Sequence, residues 1–161
     1  MTHNFAGKTA VITGASNGVG LSVAKLFCNS GANVVLADSD ESALEEEVKL
    51  LRKQGHQVLD FCGDLTRKLT LTNLIAATID EFETIDILVN NAGITKDNLV
   101  LRLSEEDFDH VLNTNLKSVF HLTKLVSKPM MKQKKGSIIN IIIRLTTLVH
   151  SPITCSLNIT I

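Results

Sequence analysis

The eight residues Thr13-Gly14-Ala15-Ser16-Asn17-Gly18-Val19-Gly20 carry three glycines at a spacing suited to gripping a phosphate. They follow the apolar run Thr9-Ala10-Val11-Ile12 and precede a helical pattern, so the turn brings backbone N–H groups and a helix N-terminus to one point. A side chain at Gly14, Gly18 or Gly20 would crowd the turn, the ligand or the strand beneath, and Ser16, Asn17 and Val19 complete the cradle. Asp38 stands 18 residues after Gly20, at the end of a second apolar run. A carboxylate there accepts the hydroxyls of an adenosine ribose and repels a 2′-phosphate. Asn17 offers that phosphate no cation either. Together they point to NAD in preference to NADP. The competing role for Asp38 is the N-cap of the following helix, and the two roles can coexist.

Positioning such a turn takes strands and helices in alternation, and the chain supplies them. Short apolar runs at Thr9–Ile12, Val34–Ala37, Val58–Phe61, Ile85–Val89 and Ser137–Ile143 are separated by longer helical patterns, the signature of βαβ units and an α/β fold. Val23, Ala24 and Phe27 mark a first helix that Gly31 stops. The stretch Glu41 to Gln54 puts Leu44, Val48 and Leu51 on one face before Gly55 ends it. Leu71, Leu74, Ile75, Ile79 and Phe82 stripe a third helix. Ser104, with Asp107 three residues on, predicts the capped start of a long helix running to about Pro129.

With 161 residues, 44% hydrophobic and 20% charged, the chain has enough core for one domain. Its 16 Lys and Arg against 17 Asp and Glu leave no cationic surplus, so neither nucleic acid nor a membrane is an expected partner. The first residues lack the pattern of a leader peptide, and no apolar run approaches the ~20 residues of a spanning helix, so a cytoplasmic location is expected. Cys28, Cys62 and Cys155 suit reduced thiols, two of them in the core, and the histidines show no metal-ligand pairing. Residues 1–143 read as a dinucleotide-binding domain and 144–161 as a divergent tail. From Ile138 onward Arg144 is the only Asp, Glu, Lys or Arg. The alternation of Ile153, Cys155, Leu157, Ile159 and Ile161 with polar residues argues for an extra strand, or else is chance in a segment never selected to fold.

The glycine turn, Asp64-Leu65 after the third run, Asn90-Asn91-Ala92-Gly93 after the fourth, and Asn115 together resemble the short-chain dehydrogenase/reductase family. The stretches Asn90 to Leu99, Asn113 to Leu116 and Ser118 to Phe120 are similar in detail to its 3-oxoacyl-[acyl-carrier-protein] reductases. The likeness covers about Phe5 to Ile141. It implies a Rossmann-type doubly wound parallel sheet in the order 3-2-1-4-5, incomplete on its C-terminal side. It implies further that Asp64 meets the adenine amino group, Leu65 packs on the adenine, and Asn90 with the Ala92-Gly93 backbone lies along the ribose. For Asn91 and Gly93 a purely structural part is an equal alternative. Asn115 would lend its backbone carbonyl to a proton relay, or be a polar residue satisfied by a neighbouring strand.

In that family a hydride moves between the nicotinamide and a carbonyl or alcohol carbon, while a tyrosine moves the proton, a lysine lowers its pKa and a serine polarises the carbonyl. This chain contains no tyrosine. Counted from Gly136, the three positions fall on Ile143 for the serine, Ser156 for the tyrosine and Thr160 for the lysine. The resemblance therefore implies an oxidoreductase homologue that keeps its NAD site and is inactive alone, truncated or divergent after about residue 142. A non-catalytic dinucleotide-binding or interaction module, or an unstable product, are the alternatives. The long helix implies pairing with a second copy or a full-length relative, and the edge of the fifth strand invites the same.

Overall fold

The computed structural model describes residues 4–96 and 100–141. In chain order it holds β1 (Thr9–Thr13), α1 (Gly18–Asn29), β2 (Asn33–Asp38), α2 (Glu41–Lys53), β3 (Val58–Cys62), α3 (Lys68–Phe82), β4 (Ile87–Asn90), α4 (Glu105–Leu112), α5 (Ser118–Gln133) and β5 (Ser137–Asn140). The strands form one parallel sheet in the order β3-β2-β1-β4-β5. Val11 lies at its centre, level with Val35 of β2 and Leu88 of β4.

Alternate residues along each strand feed two separate cores. Ala10, Ile12, Val34, Leu36 and Val89 pack under α1 and α2, against Ala24, Cys28, Leu44, Val48 and Leu51. Val11, Val35, Ala37 and Leu88 face the other way, onto Leu71, Leu74 and Ile75 of α3 and Leu122, Val126 and Met130 of α5. Burial on both faces is why β1, β2 and β4 read as unbroken apolar runs. The glycine stops also stand as predicted, with Gly31 and Gly55 at φ +85° and +87° just beyond α1 and α2.

Several predicted boundaries move. β4 starts at Ile87 rather than Ile85, because the Ile85 backbone is taken by the Gln133 amide, which accepts its N–H at 3.3 Å and donates to its carbonyl at 3.1 Å. The long helix begins as predicted, Ser104 Oγ accepting the Asp107 N–H at 3.1 Å, but a π turn at Asn113–Lys117 divides it into α4 and α5. It also runs past Pro129 to Gln133. Proline inside a helix costs about 3 kcal/mol, and burial of Val126 and Met130, at roughly 1.5–3 kcal/mol for each side chain, offsets that. Lys134, at φ 56°, then ends α5. β5 ends at Asn140, short of the predicted Ile141, and the remaining predicted strand residues Ile142 and Ile143, with the alternating segment 153–161, lie outside the described residues.

Of the thiols expected in the core, Cys28 is there, pushed up to about 11 by burial, whereas Cys62 is exposed at the end of edge strand β3. Cys155 lies outside the described residues. No helix among the described residues is long and apolar enough to cross a membrane.

Candidate functional site

β1 and β4 end side by side, and their first loop residues meet at the C-terminal edge of the sheet. Thr13, a hydroxyl closing an otherwise apolar strand, uses its full hydrogen-bonding capacity there. Its Oγ1 donates to the Val89 carbonyl (3.4 Å) and accepts the N–H groups of Asn91 (3.0 Å) and Ala92 (3.1 Å). Asn91 returns the contact, its Nδ2 donating to the carbonyls of Thr13 (3.1 Å) and Gly14 (2.9 Å). Asn91 therefore takes the structural role left open above: it clasps the glycine turn to the β4 loop.

Close approach explains two of the glycines. A Cβ on Gly14 would stand 2.9 Å from the Ala92 Cα, and one on Gly20 would overlap the Gly14 carbonyl oxygen. Gly18 differs. It sits at φ +54° with nothing within 4 Å of where its Cβ would be, so the space above the turn is open.

The first turn of α1 faces that space unneutralised. Asn17 is its N-cap but makes no side-chain cap; its Nδ2 donates to Ser16 Oγ at 3.2 Å instead. The first helical bond is Leu21 N–H to Asn17 O, so the N–H groups of Gly18, Val19 and Gly20 have no acceptor among the described residues, and no acidic residue lies in the turn. Unfilled donors on the positive end of a helix are an anion site. Val19 is exposed on the same turn, while Ser16 is buried and held by its backbone.

Asp38 borders the turn directly. Its Oδ2 accepts the Ser16 N–H at 3.0 Å, and its Oδ1 accepts from Ser39 (2.7 Å) and Asp40 (3.2 Å). The N-cap of α2 is Asp40, whose Oδ1 accepts from Ala43 N–H, so the competing role for Asp38 falls to its neighbour. An ionised carboxylate has about four lone-pair positions. Three are filled, leaving about one for a ribose hydroxyl; a second would have to displace the Ser16 bond.

The remaining predicted residues divide. Asp64 lies exposed on the rim, bonded to the Thr66 N–H and hydroxyl and paired with Arg67, and the Thr66 bonds hold its carboxyl below the usual carboxylate range. Leu65 is buried in the α3–α5 core with Ala37 and Leu71. Asn90 is buried, its Nδ2 donating to Asn140 Oδ1 across to β5 at 2.9 Å and its own Oδ1 left without a partner. Gly93 is exposed in the loop, where a Cβ would come within 3.3 Å of Asn115 Oδ1.

Asn115 belongs to the π turn, a geometry common at functional sites. Its amide grips the β4 loop twice, Oδ1 accepting the Ile94 N–H and Nδ2 donating to the Ile94 carbonyl, both at 2.8 Å. Composition and periodicity missed Thr13 as the centre of this assembly. Its signal was a single hydroxyl at the mouth of an apolar strand.

Replacing Asn91 with Ala strands two backbone carbonyls at the clasp. Urea unfolding should show a loss of about 1–2 kcal/mol, and Asn91→Asp should lose more, because it sets a carboxylate against the same two oxygens. Wild-type stability in both would remove the clasp from the argument.

The open space over Gly18, the unfilled donors of α1 and the carboxylate of Asp38 fit an adenine dinucleotide. The family model for short chain dehydrogenases matches residues 8–150. The chain is 40% identical over 142 residues to the 3-oxoacyl-[acyl-carrier-protein] reductase FabG of Chlamydia trachomatis, covering 88% of this chain and 57% of that protein. It is 38% identical over 138 residues to the protein of that name from Escherichia coli K12, covering 86% and 55%. A short chain dehydrogenase/reductase from Burkholderia phymatum, solved in complex with NAD, superposes with a TM-score of 0.83 at 33% identity, over 85% of this chain and 49% of that one. A 7α-hydroxysteroid dehydrogenase complexed with NADH and 7-oxo glycochenodeoxycholic acid does so at 0.83 and 34%, over 86% and 54%. The chain spans about half the length of these relatives. Motifs, sheet order and a match across most of its length agree: the chain belongs to the short chain dehydrogenase family.

Proposed function

We propose that this chain binds an adenine dinucleotide, NAD in preference to NADP, at the β1–α1 turn, and that its nearest function is that of a 3-oxoacyl-[acyl-carrier-protein] reductase. One observation carries the binding: three N–H donors at the start of α1 lack any acceptor among the described residues, beside a carboxylate bonded to the same turn. NAD preference rests on Asp38, whose charge opposes a 2′-phosphate, with no cation at Asn17 to pair with one. Asp64, Asn90 and the Ala92-Gly93 backbone border the same edge and would face the adenosine half. When bound, the nicotinamide would supply or accept the hydride.

The 161 residues bring no group suited to the accompanying proton. There is no tyrosine, and with ungapped spacing from Gly136 the positions of the family's serine, tyrosine and lysine would fall on Ile143, Ser156 and Thr160. Loss of a general acid costs about 10²- to 10⁴-fold in rate by itself. The chain as it stands is therefore a nucleotide binder with little or no turnover, in which Asn115 and its π turn preserve the relay end of the site without the residue that would feed it.

Calorimetric titration with NADH and NADPH tests the binding. NADH should bind more tightly, and Asp38→Ala should weaken NADH by about tenfold, the worth of one hydrogen bond to a charged group, while leaving NADPH unchanged or improved. The absence of saturable heat with either nucleotide refutes the reading. Mixing chain, NADH and an acetoacetyl thioester should leave the NADH absorbance constant; steady enzyme-dependent oxidation would show that a proton donor has been overlooked.

A further inference from the structure

Lys68, His121, Lys124, Leu125 and Lys128 line a cleft of about 230 Å3 between α3 and α5. His121, Lys124 and Lys128 recur at three- and four-residue spacing and so share one face of α5, while Lys68 is the first residue of α3. Like charges four apart on a helix repel by a few tenths of a kcal/mol, and nothing relieves them here. Among the described residues no carboxylate pairs with Lys68, His121, Lys124 or Lys128, whereas Lys25 and Arg67 pair with Glu47 and Asp64. Asp64, the acid nearest Lys68 in sequence, is already committed to Thr66 and Arg67. The start of α3 adds to the field. Its first turn has no acidic residue and no side-chain cap, and its first helical bond is Leu71 N–H to Arg67 O.

Uncompensated cations around a concavity concentrate anions. The volume is several times the roughly 30 Å3 share of a water molecule, enough for an anion larger than a single water or halide. Lysines bind phosphate as point charges on flexible stems. The cleft is separate from the glycine turn, because α1 packs on one face of the sheet and α3 and α5 on the other. We propose that this α3–α5 cleft is a second anion site, for a multiply charged phosphate-type group.

Inorganic pyrophosphate titrated calorimetrically into the full chain at low salt, with NADH present at high concentration, tests it. One saturable site is expected, weakening with added NaCl. Lys124→Gln with Lys128→Gln should weaken it at least about tenfold without altering the thermal melt. Lys68→Gln alone should weaken it measurably, which keeps the test decisive if the double variant folds poorly. Titrating ADP in parallel identifies the source: tighter binding than pyrophosphate marks a nucleotide, equal binding the inorganic group. No saturable heat, binding indifferent to all three substitutions, or displacement by NADH would overturn the proposal. If the chain binds no NADH at all, pyrophosphate binding that depends on Lys124 and Lys128 still upholds it.

Discussion

Gly20→Ala should weaken NADH binding by about a hundredfold or more and lower stability by about 3 kcal/mol. The sign is not obvious, because Gly20 lies in α1 and alanine is a better helix former by about 1 kcal/mol. Geometry decides it. The added Cβ would overlap the Gly14 carbonyl oxygen and stand 2.5 Å from Asn91 Nδ2 and 2.8 Å from the Gly14 carbonyl carbon. Two of these three atoms are backbone, so no rotamer change relieves the contact. The helix must retreat from the turn by about an ångström, at a cost near or above the 1–3 kcal/mol typical of overpacking. That exceeds the gain in helix propensity.

Retreat also breaks the Asn91 clasp and draws the unfilled N–H groups of Val19 and Gly20 off target. Two charge-assisted hydrogen bonds lost, at about 1.5–3 kcal/mol each, give the predicted drop in affinity. Gly18→Ala is the matched control. Its Cβ meets nothing within 4 Å, but at φ +54° it carries a left-handed strain of about 1–2 kcal/mol. Gly20→Ala should therefore be the more damaging to the fold. Unchanged melting and NADH affinity in Gly20→Ala would mean that contact between turn and helix does not set the site.

The two substitutions also show how much of this protein could be read from its sequence. That glycines were needed at 14, 18 and 20 followed from a turn between strand and helix. Why each was needed did not, because the atoms that exclude a side chain at Gly14 and Gly20 belong partly to residues 91 and 92, far along the chain. Elements followed the same rule. Doubly buried strands announced themselves as apolar runs and Ser104 announced a helix start, since both signals are local. The π turn at Asn113–Lys117 and the passage of α5 through Pro129 are fixed by tertiary partners, Ile94 for the first and the core around Met130 for the second, and no local pattern encodes them. Leu65 makes the same point for the site. No local pattern shows that its side chain packs into the core with Ala37 and Leu71.

At the opposite end of the sheet, Asp86→Asn should destabilise the chain by about 2 kcal/mol at pH 7 and by progressively less as the pH falls below the unfolded carboxylate value. Only 7% of the Asp86 side chain is exposed. Its Oδ2 accepts the Thr9 N–H at 3.1 Å, and its Oδ1 faces the ammonium groups of Lys8 (3.1 Å) and Lys135 (3.2 Å). Its backbone donates to the Thr9 carbonyl and accepts from Ser137 N–H, so this one residue ties together the starts of β1, β4 and β5. Burial raises its carboxyl pKa, but the bonds from Thr9, Lys8 and Lys135 outweigh that and hold it below the ordinary value. A carboxylate whose pKa is depressed by folding contributes fully above the unfolded value near 3.9. The contribution is lost as pH falls through the folded value.

Asparagine can keep the Thr9 bond but not the two ion pairs, which sets the loss below that of Asp86→Ala. The alanine variant leaves the buried Thr9 N–H unsatisfied and should lose about 3 kcal/mol. Because both lysines are partly exposed, solvent screening weakens each pair. Urea titrations of wild type and Asp86→Asn at pH 7, 5, 4 and 3 test the sign, the two curves converging as the acid limit is approached. Asp64, also depressed, is present in both proteins and cancels from the difference. A gap that stays constant down to pH 3 would show that Asp86 acts by packing alone. The consequence reaches the nucleotide end, since β4 and β5 leave Asp86 in parallel and deliver Asn90 and Asn140 as a bonded pair at the far edge of the sheet.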